Sequence, residues 1–137
     1  MERAETIACH SISGFMSYGL YAAQAPQGAG DPAGPAGFMS IGGIDRAVSA
    51  IPSLTAGAWA HIAMTYDGTR QRLYINGVEV LNRAQTGSVA VSAGALRIGG
   101  NASWAGEFFR GLIDEVRVYN RALSAAEIAA DMKTPIP

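Results

Sequence analysis

The chain has 137 residues, a net charge of −1 and one cysteine. That length fits one domain of ordinary size. The charge balance leaves no excess of Lys and Arg to neutralise a nucleic-acid backbone. The apolar runs fall well short of the ~20 residues of a membrane span. Cys9 alone allows no internal disulfide framework and no all-cysteine metal site.

In chain order, the opening residues Met1 to Glu5 are too charged to read as a secretory leader. Residues 3–10 can form a short strand. Residues 15–23, dense in aromatic and branched side chains after Ser13-Gly14, read better as one. Gln24 to Gly37 holds three Pro and four Gly within fourteen residues and is expected to be a long, exposed hairpin loop. Strand signals return at 38–41 and 47–51 around Gly42-Gly43. They continue at 58–66, which ends on the tight-turn pair Asp67-Gly68, and at 72–75, which ends on Asn76-Gly77. Further strands are expected at 78–81, 96–98 and 112–119. Many short strands with glycine turns predict an all-β sandwich or barrel. One helix is expected near 124–132, because Ser124 and Glu127 form a capping box and Pro135 stops the helix.

Alternation along the strands assigns faces. Leu73 and Ile75 point one way, Arg72 and Tyr74 the other. In the last predicted strand Leu112, Val116 and Val118 share a face with Asp114, so a carboxylate stands on the expected core side. It must sit at a strand end, pair with a cation or accept amide hydrogen bonds.

The blocks Trp59-Ala60-His61 through Tyr66-Asp67-Gly68, Leu73-Tyr74-Ile75-Asn76-Gly77, Leu96-Arg97-Ile98-Gly99-Gly100, and Phe109-Arg110-Gly111 through Asp114-Glu115-Val116-Arg117-Val118-Tyr119 to Ile128 resemble laminin G-like jelly-roll domains of the concanavalin A-like lectin/glucanase superfamily. The resemblance covers about residues 57–130 and is weak over 1–56. It implies one antiparallel jelly-roll β-sandwich over residues 1–137, without its usual first strands. It also implies a structural calcium ion to which Asp114 would give one ligand. The plain alternative is an Asp114 that only accepts amide hydrogen bonds.

Candidate ligand-binding residues are the aromatics Trp104, Tyr74, Tyr21 and Tyr18, with Asn101 and Glu107 to meet sugar hydroxyls. Trp104 stands out because it lies in a loop, where strand packing does not call for an aromatic. Trp59 is expected to pack, and His61 to be a packed or hydrogen-bonded strand residue. The acid-x-acid-x-x-acid strand of the superfamily's glucanases is absent, and Asp114 and Glu115 point to opposite faces, so no catalytic residue is expected. The functional expectation is a non-catalytic, lectin-like carbohydrate-binding module of an extracellular bacterial protein. The alternative is a self-associating or protein-binding sandwich without sugar binding. In either case the expected partners are a glycan or a protein, with a homodimer or a strand-completing second chain covering the apolar face of Leu73, Ile75, Leu96, Ile98, Val116 and Val118.

Overall fold

The computed structural model describes residues 5–12, 14–24, 34–51 and 53–137. Eight strands and one helix follow in order: β1 (Glu5–Ile12), β2 (Phe15–Gln24), β3 (Gly34–Ile41), β4 (Ile44–Ser49), β5 (Ile62–Tyr66), β6 (Arg70–Ile75), β7 (Val78–Ala84), β8 (Ala95–Ile98) and α1 (Ala125–Asp131). They build a β-sandwich of two antiparallel sheets. One runs β4-β3-β2-β1-β8, the other β5-β6-β7.

The tight turns are local chemistry. Asn76 and Gly77 both take positive φ, 50° and 78°, as a two-residue hairpin between β6 and β7 requires. Between β5 and β6, Asp67 Oδ1 accepts the amides of Thr69 and Arg70 at 2.9 and 2.8 Å. Its other oxygen accepts Arg72 Nη1 at 2.6 Å. Hydrogen bonds from Thr69 and Arg72 hold this carboxyl well below the usual carboxylate range. The capping box forms as expected: Ser124 Oγ accepts the Glu127 amide, and Glu127 Oε2 accepts the Ser124 amide.

Two clusters of buried side chains result. Between the sheets lie Val48, Ala50 and Leu73, flanked by Leu20, Ile62 and Leu81. On the outer face of the larger sheet lie Cys9, Met16, Tyr21 and Ala36, with Phe38 beside them. The register agrees: Cys9, Gly19 and Phe38 are cross-strand neighbours on one face, and Gly37 on the other face meets Met64 of β5.

Three expectations need correction. The loop expected over 24–37 is shorter, since Gln24 belongs to β2 and Gly34 to Gly37 belong to β3; residues 25–33 lie outside the described residues. The strand expected to start at Ala58 begins at Ile62. No strand forms at 112–119. Glu115 takes φ 55°, a left-handed conformation that breaks the pleat, and Asp114 Oδ1 accepts the Glu115 amide at 2.8 Å. The segment is tied to the end of α1 instead. Arg117 donates to Asp131 and to the Thr134 carbonyl, and Tyr119 Oη donates to Asp131 Oδ2 at 2.8 Å. The expected common apolar face is therefore split. Leu73 is buried, while Leu96, Ile98 and Val118 are exposed.

Candidate functional site

The outer face of the larger sheet would be wet were it not for the segment that follows β8. Residues 99–109 fold back across β1 and β2. The Gly99 amide donates to the Ile7 carbonyl at 2.7 Å, and the Phe109 amide donates to the Gly99 carbonyl at 3.1 Å. Phe108 bridges to Thr6. The Cys9 thiol donates to the Gly100 carbonyl at 3.5 Å, and the Ala102 amide donates to Ser11 Oγ at 3.3 Å. Ser103 Oγ lies 2.8 Å from the Ile12 carbonyl and 3.1 Å from that of Phe15. Small polar residues on this face give the loop its footing: Thr6 and Ser11, both buried, each accept a hydrogen bond from it.

Asn101 is the keystone of the loop. Its Nδ2 donates to Thr6 Oγ1 at 2.9 Å and to Glu107 Oε2 at 2.6 Å. Its Oδ1 accepts the amides of Ser103 and Trp104 at 2.9 and 2.7 Å. Two donors and two lone pairs are the whole capacity of a side-chain amide. Asn101 thus spends its side-chain hydrogen bonds on the shape of the loop. Glu107 keeps one oxygen uncommitted, and burial pushes its carboxyl above the ordinary value, partly offset by Asn101.

The loop presents Trp104. Its ring meets Phe38 edge-on, centroids 6.5 Å apart and planes at 71°. The side chain nevertheless stays 44% exposed. Packing on Phe38 and the Asn101 clamp fix the ring, while the remaining surface is open to solvent.

The other sequence candidates lie elsewhere. Tyr18 is on the inner face of the same sheet, stacked on His10 at 5.4 Å with planes 13° apart, so the sheet separates it from Trp104. Tyr74 belongs to the second sheet and is only 2% exposed, with its hydroxyl donating to Glu79 Oε2 at 3.3 Å. No ligand could reach its ring faces. Asp114 is exposed. Calcium takes six to eight oxygens, and among the described residues no group of three His, Cys, Asp or Glu side chains could hold a metal. Asp114 therefore stands outside any such cluster among the described residues.

A second concave region opens between the sheets, a cleft of about 920 Å³. Tyr18, Leu20, Trp59, His61, Leu96 and Leu112 contribute to its walls. Trp59, expected to pack, is 68% exposed there. The His61 amide donates to Asn76 Oδ1 at 2.9 Å, but its ring Nδ1 is buried without a partner. Desolvation lowers its pKa, against an opposing pull from Asp131. Trp59 carried no distinguishing signal in the sequence, because its exposure depends on where 112–119 runs.

The fold agrees with a comparison against known families: residues 14–129 match the laminin G-like model of the concanavalin A-like lectin/glucanases superfamily. The chain belongs to this family. Among curated proteins, the laminin G-like chain is 35% identical over 92 residues to Pappalysin-1 of Mus musculus and 32% identical over 92 residues to that of Homo sapiens. Each match covers 64% of this chain and only 6% of the relative. A solved structure of an S-layer domain-containing protein from Clostridium thermocellum ATCC 27405 aligns with a TM-score of 0.49 and 21% identity, over 96% of this chain and 64% of that one.

Proposed function

We propose that this laminin G-like domain is a non-catalytic carbohydrate-binding module that works outside the cell as part of a larger protein, with Trp104 as its sugar platform. One observation supports the reading above all: an aromatic ring 44% exposed on a loop whose conformation is held by every hydrogen-bonding group of Asn101. A rigid, half-exposed indole offers a flat apolar surface to the C–H face of a pyranose with little ordering cost. The free oxygen of Glu107, on the same loop, is the matching acceptor for a hydroxyl. In this reading Tyr18 and Tyr74 take no part.

A glycan array tests the proposal. Saturable binding to at least one glycan is expected. Trp104→Ala should weaken it at least tenfold, equivalent to ~1.4 kcal/mol, while Tyr18→Ala leaves it intact. Absence of binding across the array, or equal binding by Trp104→Ala, would overturn the proposal.

A further inference from the structure

Four strands form the edges of the two sheets: β4 and β8 in one, β5 and β7 in the other. An edge strand offers unpaired N–H and C=O groups to any other strand, and charged side chains are a common protection. β4 carries Asp45 and Arg46, and β7 carries Glu79 and Arg83. β5, Ile-Ala-Met-Thr-Tyr, carries no charge. β8 carries Arg97 alone, which pairs with Cys9 and so shares the outer face, away from the cleft. The two poorly protected edges border the same opening, since Leu96 of β8 and all of β5 line the cleft.

The register shows which groups of β5 are free. The Asp67 amide donates to the Arg70 carbonyl at 3.4 Å, and the Asn76 amide donates to the His61 carbonyl at 2.8 Å. In an antiparallel pair the bonded residues alternate. Ala63 and Thr65 therefore bond to β6, and Ile62, Met64 and Tyr66 direct their N–H and C=O outward. Residues 112–119, on the facing bank, join no ladder.

The opening is also apolar. Trp59, Leu96, Leu112, Val118 and Tyr119 all line it, and each is at least 42% exposed, Leu112 reaching 79%. Five large side chains so exposed amount to several hundred Å², beyond scattered surface apolarity and of the order of the ~800 Å² that each partner gives to a standard interface. Of the charges there, Arg117 is matched by Asp131 and Glu115 and Arg121 by Glu127, and the remaining Asp114 and Lys133 are of opposite sign. A neutral, apolar surface bordered by a bare strand edge is complementary to another of its own kind.

We propose that this side of the sandwich is a homodimer interface. A second copy docks across a two-fold axis with β5 antiparallel to its counterpart, joining the two three-stranded sheets into one of six strands. The contact is isologous, so it closes after two copies. It lies away from the Trp104 loop, and its failure would leave the sugar-binding proposal untouched.

Light scattering on the full chain at micromolar concentration should give a dimer. The double variant Trp59→Lys/Leu112→Lys changes two exposed positions in the opening and should give a folded monomer. Val78→Lys, on the opposite edge, should remain dimeric. A wild-type monomer, an open-ended aggregate, or a dimer indifferent to the double variant would overturn the proposal. If circular dichroism shows that the double variant does not fold, wild-type hydrogen exchange decides. Protection of the Ile62, Met64 and Tyr66 amides that grows with protein concentration supports the interface, and concentration-independent exchange refutes it.

Discussion

Gly37 of one sheet packs directly under Met64 of the other. A Cβ on Gly37 would stand 2.5 Å from Met64 Sδ and 3.1 Å from its Cγ. Gln71 fills the same junction, with Nε2 3.4 Å from both the Gly37 carbonyl and Met64 Sδ. Gly37→Ala is therefore expected to cost ~1–3 kcal/mol, as overpacking usually does, measured by urea denaturation. Met64→Ala in the same background should recover part of that loss, because the two sites share one space. Additive losses would show that the sheets are not in contact there.

Asn101→Ala leaves the amides of Ser103 and Trp104 without their acceptor and Thr6 without its donor. A loss of ~1–3 kcal/mol is expected from the stranded groups. Trp104 fluorescence should shift to the red as the ring leaves Phe38. Any glycan affinity should fall as the loop loosens.

The cap of α1 makes stability depend on acid pH. Ser124→Ala should cost ~1 kcal/mol. Glu127 is held at about 2 in the folded chain, first by Arg121 and then by Ser124, against an ordinary value of 4.5. A depressed folded value means that the contribution is complete above the unfolded value and is lost as pH falls through the folded one. Helical ellipticity should therefore fall between pH 4.5 and about 2, and Glu127→Gln should flatten that profile.

Cys9 is fully buried, and burial pushes its thiol up, with Ser11 opposing. A buried thiol with little thiolate reacts slowly. Native protein at mildly alkaline pH should resist a disulfide exchange reagent, and denaturant should release one thiol per chain. Rapid labelling without denaturant would mean that the 99–109 cover opens freely.

Calcium supplies a direct check on Asp114. With Asp114 alone among the described residues, millimolar calcium and chelator should give the same melting temperature. A rise abolished by Asp114→Asn would show that ligands from outside the described residues complete a site.

Features set by neighbours in sequence were the readable ones. Asp67-Gly68 and Asn76-Gly77 marked the two hairpins of the smaller sheet, and Ser124 with Glu127 marked the helix, because each carries its hydrogen bonds within a few residues. Alternation placed Leu73 and Tyr74 on opposite faces correctly, but it could not say that Tyr74 is covered. The strand at 112–119 was misread for a related reason. Its apolar alternation is real, yet Glu115 turns left-handed and Arg117 and Tyr119 hold on to Asp131. Gly34 to Gly37 read as loop from composition, whereas Gly37 is small because Met64 stands over it. Trp104 lies in a loop and is exposed, as its glycine- and serine-rich surroundings imply. Nothing local indicated that Asn101 would spend all its bonds on the loop, since its partner Thr6 lies 95 residues away.

That separation has a consequence for synthesis. The outer face of β1 to β3 is translated long before the segment that shelters it. At ~5–20 residues per second, Cys9, Met16, Tyr21 and Phe38 wait several seconds beside the ribosome for Trp104 to arrive. During that interval these side chains lack the cover that residues 99–109 give them in the finished fold.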